Sequence, residues 1–237
     1  MSTILWVLAV AAAMIAIECR RPGSALPRVP GFYARAALLN LVQAAIAWLA
    51  TMTWDRWLPG LSLWRLALPT VPAALMGYVL ITFVYYWWHR ARHESRFLWR
   101  WLHQVHHSAS RLEVATSFYK HPFEIAINGA LSSALVYLVL GLDPAAATLA
   151  VTMTGLAELF YHWNVRTPHW LGYLIQRPES HRVHHQRGRH RMNYSDLPLW
   201  DLMFGTFHNP RTSPERCGFS GERERQLGRM LLGRTPL

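Results

Sequence analysis

The chain has 237 residues, of which 52% are hydrophobic, with 24 Lys and Arg against 13 Asp and Glu, and 13 His. That length fits one sizeable domain. Its apolar residues fall in long runs with charge between and after them, which excludes an ordinary soluble globule and a solvated basic nucleic-acid module. The formal charge of +11 suits an anionic lipid surface.

In chain order, the first apolar run is Ile4–Ile17. It lacks a basic stretch before it, and Glu18-Cys19-Arg20-Arg21 stands where a small-residue cleavage site would be, so it reads as a retained membrane helix rather than a signal peptide. A Pro/Gly-rich connector with Arg20, Arg21 and Arg28 leads to further apolar segments at Phe32–Trp54, Val71–Trp88, Ile125–Leu142 and Ala145–Trp163. Between the last two, "GLDPAA" is a tight turn, with Gly141 as stop signal and Pro144 as start signal. The expected fold is all-α: an integral membrane bundle of four or five membrane helices under a cytosolic helical cap that holds a dinuclear metal site. Residues 1–70 supply membrane helices and connector, 71–210 the catalytic region, and 211–237 a basic tail. Cys19 and Cys217 form neither a CxxC motif nor a disulfide framework. Lys120 is the sole lysine, and the Arg, Ala and Leu usage points to a GC-rich bacterial genome.

The chemistry lies in the histidines. His89 and His93 are four apart and share a helical face. "HQVHH" places His103, His106 and His107 at i, i+3 and i+4, and "HRVHH" repeats the spacing with His181, His184 and His185. At this histidine content, chance gives such a triplet in about 0.04 places per chain. His162 closes the fifth apolar segment. Two crossings separate the clusters, so all emerge on one membrane face, together with Arg90, Arg92, Arg96, Arg100, Arg166, Arg177 and Arg182. The opposing loops hold only Arg56 and Arg65 beside Asp55 and Asp143, which makes the histidine face cytoplasmic. Each five-residue motif is expected to present three imidazoles on one helical face to a shared pair of metals.

Neutral imidazole suits iron, zinc, copper or nickel and disfavours calcium and magnesium. Nine such ligands exceed what one ion takes, so two ions are the economical reading. Taken singly, His121, His169, His190 and His208 read as ordinary surface or core histidines. A structural zinc site would recruit Cys and close at four ligands, and neither Cys lies near a cluster. Iron with open positions binds O2 and attacks an unactivated C–H bond, here of a lipid entering between apolar helices. Zinc in the same ligands would polarise water for lipid hydrolysis, with Glu94 as base. A non-catalytic metal-binding or transport protein would spread its histidines through the membrane span, whereas these gather at one surface. The ranking favours oxygen chemistry.

Between residues 85 and 210 the strings "HRARHE", "HQVHHS", "YHWNVRTP", "HRVHH" and "NYSDLPLWDLMFGTF" resemble, in order and spacing, the fatty acid hydroxylase/sterol desaturase superfamily of membrane di-iron enzymes. The resemblance implies a membrane scaffold with a cytosolic cap holding two iron ions, O2 as co-substrate, and hydroxylation or desaturation of acyl chains, sterols, carotenoids, sphingoid bases or ether lipids. It implies His89, His93, His103, His106, His107, His162, His181, His184 and His185 as the metal ligands and catalytic set. Asn164 fits the family pattern as a group beside the metals or the substrate. His121 in "KHPFE" becomes a candidate tenth participant, and Asp201 a candidate acceptor orienting a ligating imidazole. Some members carry a further histidine where this chain has Arg166, a gap that His169 or His190 would fill. No fused cytochrome-like domain is visible, so electrons are expected from a separate ferredoxin- or cytochrome-like protein docking on the Arg-rich face. The expected location is the bacterial inner membrane.

Overall fold

The computed structural model describes residues 3–237. The chain folds into α1 (Thr3–Arg20), α2 (Phe32–Met52), α3 (Trp54–Leu61), α4 (Thr70–Glu94), α5 (Arg96–Leu98), α6 (Gln104–Ser108), α7 (Pro122–Ser133), α8 (Pro144–His162), α9 (Pro178–His184), α10 (Pro198–Met203) and α11 (Leu227–Leu231). Two π-helical stretches, Trp99–His103 and Ala134–Val139, precede α6 and extend α7. Among the described residues there is no named strand; Gln186 and Cys217 form an isolated antiparallel bridge. The five predicted apolar segments fall on α1, α2, α4, α7 with its π extension, and α8. By length and composition, Phe32–Leu61, Thr70–Glu94 and Pro122–Val139 are long and apolar enough to cross a membrane. Large apolar side chains such as Leu41, Trp48, Val71 and Leu75 face outward from these helices, as lipid solvent permits.

Helix length positions the site. The 25 residues of α4 rise about 37 Å against a hydrocarbon core of about 30 Å, so along the helix His89, about 28 Å from its start, reaches the edge of such a layer and His93, about 34 Å, passes it. α8 starts sharply because the Asp143 carboxylate accepts from the amides of Ala145 (2.9 Å) and Ala146 (3.1 Å), with Pro144 in the first turn. The preceding turn needs Gly141: its φ is 61°, and a Cβ there would lie 2.2 Å from the Trp64 carbonyl oxygen. α4 and α8 then pack through small residues, Ala73, Ala74 and Gly77 against Ala146, Ala147 and Ala150. That close approach brings the end of α4, with His89 and His93, and the end of α8, with His162, to the same end of the helix pair.

The cap rests on a second apolar cluster of Phe32, Ala36 and Leu39 from α2, Val105 and Ala109 around α6, Tyr119, and Leu227 and Met230 from α11. The α1–α2 connector also binds the cap: buried Glu18 accepts from the amides of Val114 (3.2 Å) and Asn164 (3.1 Å), and the Gly23 amide donates to the Asn164 carbonyl (2.7 Å). Both cysteines are free, Cys19 exposed and Cys217 buried.

Candidate metal centre

Four short pieces of chain deliver the nine histidines. α4 contributes His89 and His93, the π segment and α6 contribute His103, His106 and His107, α8 ends on His162, and α9 with the residue after it contributes His181, His184 and His185. All nine are buried. They sort into two groups, His89, His93, His103, His107 and His184 in one, and His106, His162, His181 and His185 in the other. Within each group one nitrogen per ring lies within 4.8 Å of the others.

The sorting corrects one expectation. Neither "HQVHH" nor "HRVHH" offers its three imidazoles to one place. His103 and His107 go to the five-membered group and His106 to the four-membered one, while His184 goes to the five and His181 and His185 to the four. Adjacent helical residues differ in direction by about 100°, so each His-His pair is split between neighbouring sites. Each motif therefore serves both groups.

Anchoring at one ring nitrogen decides what the other offers. His89 Nδ1–H donates to the Tyr194 carbonyl (2.7 Å), His184 Nδ1–H to the Met192 carbonyl (2.7 Å) and His162 Nδ1–H to the Glu158 carbonyl (2.9 Å). His103 Nδ1–H donates to Glu124 Oε1 (3.0 Å). In each neutral ring Nε2 is then a bare lone pair. Around His181 Nε2 stand His162 Nε2 (3.1 Å) and His185 Nε2 (3.0 Å), while the Nε2 atoms of His89 and His103, both bare because their Nδ1–H groups are spent, face each other at 2.9 Å. Lone pairs so aimed repel unless a cation lies between them. A metal with bonds of about 2.1 Å puts neighbouring ligand nitrogens about 3.0 Å apart and opposite ones about 4.2 Å apart. In the five-histidine group His93 Nε2, His107 Nε2 and His184 Nε2 are buried nitrogens without a partner, as a set of metal-binding imidazoles requires.

Electrostatics reinforce it. Burial, with neighbouring cationic and imidazole groups, holds His103, His106, His107, His181 and His185 well below the ordinary imidazole value, and burial holds His184 down to about 3. Neutral imidazole is the form that binds metal.

The other candidates lie elsewhere. His121 caps α7, its Nδ1 accepting from the Phe123 amide (3.1 Å) and its Nε2–H donating to the Leu231 carbonyl (3.2 Å). His169 and Asn209 tie two cap loops, His169 Nε2–H donating to the Asn209 carbonyl (3.1 Å). Asn164 holds the connector by exchanging hydrogen bonds with the Ser24 backbone, Oδ1 at 3.1 Å and Nδ2 at 3.0 Å. His190 touches the centre from outside, its Nδ1 2.9 Å from His93 Nδ1 and its ring stacked on Trp99. Asp201 accepts from the amides of Tyr194 (2.8 Å) and Ser195 (3.0 Å) and from the Thr206 hydroxyl (2.7 Å), not from an imidazole. It acts one step back, bracing the loop whose carbonyls receive His89 and His184; its carboxyl, raised by burial against those hydrogen bonds, stands at about 6. Glu94 pairs with Arg90 (2.8 Å) on an exposed surface, outside both groups.

One residue at the centre escaped the sequence reading. Glu124 is fully buried, holds His103 and pairs with buried Arg92. Its spacing, three residues after a histidine in "KHPFE", was the available signal.

Comparison with known proteins places the geometry. The fatty acid hydroxylase family matches residues 74–206. The ornithine lipid hydroxylase OlsE of Rhizobium tropici is 31% identical over 192 residues, 78% of this chain and 54% of that protein. Human alkylglycerol monooxygenase is 30% identical over 131 residues, 54% of this chain and 28% of its own length. The sphingolipid C4-hydroxylase sur2 of Schizosaccharomyces pombe is 28% identical over 131 residues, 54% of this chain and 45% of that protein. The chain thus spans about half or less of these relatives. No solved structure matches it.

Proposed function

The chain belongs to the fatty acid hydroxylase family, and from that membership and the paired imidazole groups we infer that it is a membrane-bound di-iron oxygenase. It hydroxylates, or with the same inputs desaturates, a C–H bond of a lipid such as a fatty acyl chain or sterol-like molecule. The observation that carries this reading is the division of nine buried imidazoles into two groups, in each of which one nitrogen per ring lies within 4.8 Å of the others. The donor set is all nitrogen in both groups, which suits iron and disfavours calcium or magnesium. The base expected for lipid hydrolysis on zinc, Glu94, is exposed and paired with Arg90 away from both groups.

The nine histidines would hold the metals, His89, His93, His103, His107 and His184 one ion, and His106, His162, His181 and His185 the other. Iron bound there supplies O2-dependent redox chemistry. Overall, R–H, O2, two electrons and two protons give R–OH and water. The protein's part is positional. The carbonyls of Tyr194, Met192 and Glu158 and the Glu124 carboxylate fix ring orientation at one nitrogen each. Burial of all nine rings keeps bulk water out. The apolar walls of α4 and α8 guide a lipid chain from the bilayer to the ends of the same helices that carry His89, His93 and His162.

Electrons come from a separate ferredoxin- or cytochrome-like protein, for which exposed Arg187, Arg189, Arg191, Arg211 and Arg216 form a basic dock. The Arg-rich loops around the histidines support a centre on the cytoplasmic face of a bacterial inner membrane. The test is comparative lipidomics of cells producing the wild-type chain or the His184→Ala variant. Lipids heavier by one oxygen or lighter by two hydrogens appear with the wild type alone; identical lipid profiles would overturn the assignment.

A further inference from the structure

The segment Lys120-His121-Pro122-Phe123-Glu124 reaches both metal groups from its two ends, His103 directly and His162 through Glu158. Glu124 lies in the first turn of α7, and its Oε1 is held between His103 Nδ1–H (3.0 Å) and the Arg92 guanidinium. Arg92 itself comes from α4, one residue before His93, and its Nη1 also lies 3.3 Å from His103 Nδ1. At the other end, Lys120 pairs with Glu158 of α8. Glu158 is the residue whose carbonyl receives His162 Nδ1–H, one turn before His162. Glu124, Arg92 and Lys120 are all buried, so each pair is held without competing water. Between the ends, His121 caps α7 and its Nε2–H donates to the Leu231 carbonyl (3.2 Å), which fixes the spacing of Lys120 and Glu124 against the cap.

We propose that residues 120–124 form a clasp that orients one imidazole in each metal group: Glu124 sets His103 of the five-histidine group, and Lys120, through Glu158, sets the helical turn presenting His162 to the four-histidine group. Glu124 and Lys120 are positioning residues. A carboxylate on the far nitrogen of a ligating imidazole fixes its tautomer and raises its basicity, and losing such a partner weakens metal binding about 10–100-fold. For Lys120 the action is less direct, because the lysine restrains Glu158 and Glu158 offers its carbonyl to the ring. The two ends therefore act on different ions.

This inference rests on reading the two groups as metal sites. The test uses cobalt(II) as probe on the full chain in detergent, following absorption as metal is added and then removed by a chelator. His184→Ala and His181→Ala supply reference spectra for loss of the five-histidine and four-histidine sites. Glu124→Ala should release cobalt at least 10-fold faster from the five-histidine site and leave a spectrum resembling that of His184→Ala. Lys120→Met should do the same at the four-histidine site and resemble His181→Ala. Release rates unchanged in both variants would overturn the clasp, as would equal acceleration at both sites in each variant, the mark of general loosening. Fewer than two cobalt ions on the wild-type chain would instead overturn the two-metal reading from which the clasp is built.

Discussion

Acidifying the metal-stripped protein from pH 8 to about pH 5.5 should unfold its cap. His103, His106, His107, His181, His184 and His185 are buried and held below the ordinary imidazole value of 6.5, His184 down to about 3. When the cap unfolds they enter water and bind protons below pH 6.5, whereas the folded cap does not bind them. The unfolded state then carries more protons, so stability rises with pH up to about 6.5 and falls as pH drops below it. At pH 5.5 each such group favours unfolding by about 1.4 kcal/mol, and six together by about 8 kcal/mol. That is comparable to the whole net stability of a domain, about 5–15 kcal/mol. Thermal unfolding of stripped protein in detergent, followed by tryptophan fluorescence, should show Tm constant above pH 7 and collapsing between pH 6.5 and 5. Reloading with metal should move the collapse to lower pH, because protons must then displace an ion. A stripped protein whose Tm stayed flat down to pH 5 would refute the neutral, buried character assigned to these rings.

Three substitutions probe other parts of the account. His121→Ala should lower stability by about 0.5–2 kcal/mol in denaturant titration, the effect of a lost helix cap, while metal analysis still finds two ions per chain; loss of an ion would make His121 a ligand. Glu94→Gln should leave lipid oxidation within about twofold, since its carboxylate only meets Arg90 at an exposed surface, and a severe loss would revive Glu94 as a base. Gly77→Val forces a side chain where a Cβ alone would lie 3.0 Å from Ala150 Cβ and Leu142 Cδ1. Parting α4 from α8 should cost about 1–3 kcal/mol in thermal unfolding, and a neutral or stabilised variant would contradict the tight pairing that sets the metal groups.

Much of this was legible in the sequence because its signals are local. Apolar run length located α1, α2, α4, α7, α8 and, at the end of α8, His162, and the i, i+3, i+4 and i, i+4 spacings located the other eight histidines, since both follow from helical periodicity and bilayer thickness. What the sequence concealed depends on which way a side chain leaves its helix. In "HQVHH" the spacing joins His103 with His106 and His107, yet His106 and His107 diverge into different groups. In "KHPFE" the residue type pointed to His121, but the Pro122 start of α7 turns His121 into a cap and brings Glu124 to His103. Asp201 suggested an imidazole partner, whereas its acceptors are spent on the Tyr194 and Ser195 amides, and the influence on His89 passes through a loop. These outcomes depend on contacts between residues far apart in the chain, which no spacing rule encodes.

The central claim is that paired iron ions held by these histidines put an oxygen atom from O2 into a lipid. Iron-loaded protein in lipid bilayers, given a chemical reductant and oxygen-18 gas, should yield lipid alcohols carrying one heavy oxygen atom each, with none when the label is in water instead. Label entering from water, or product formed as well with zinc in place of iron, would contradict the account.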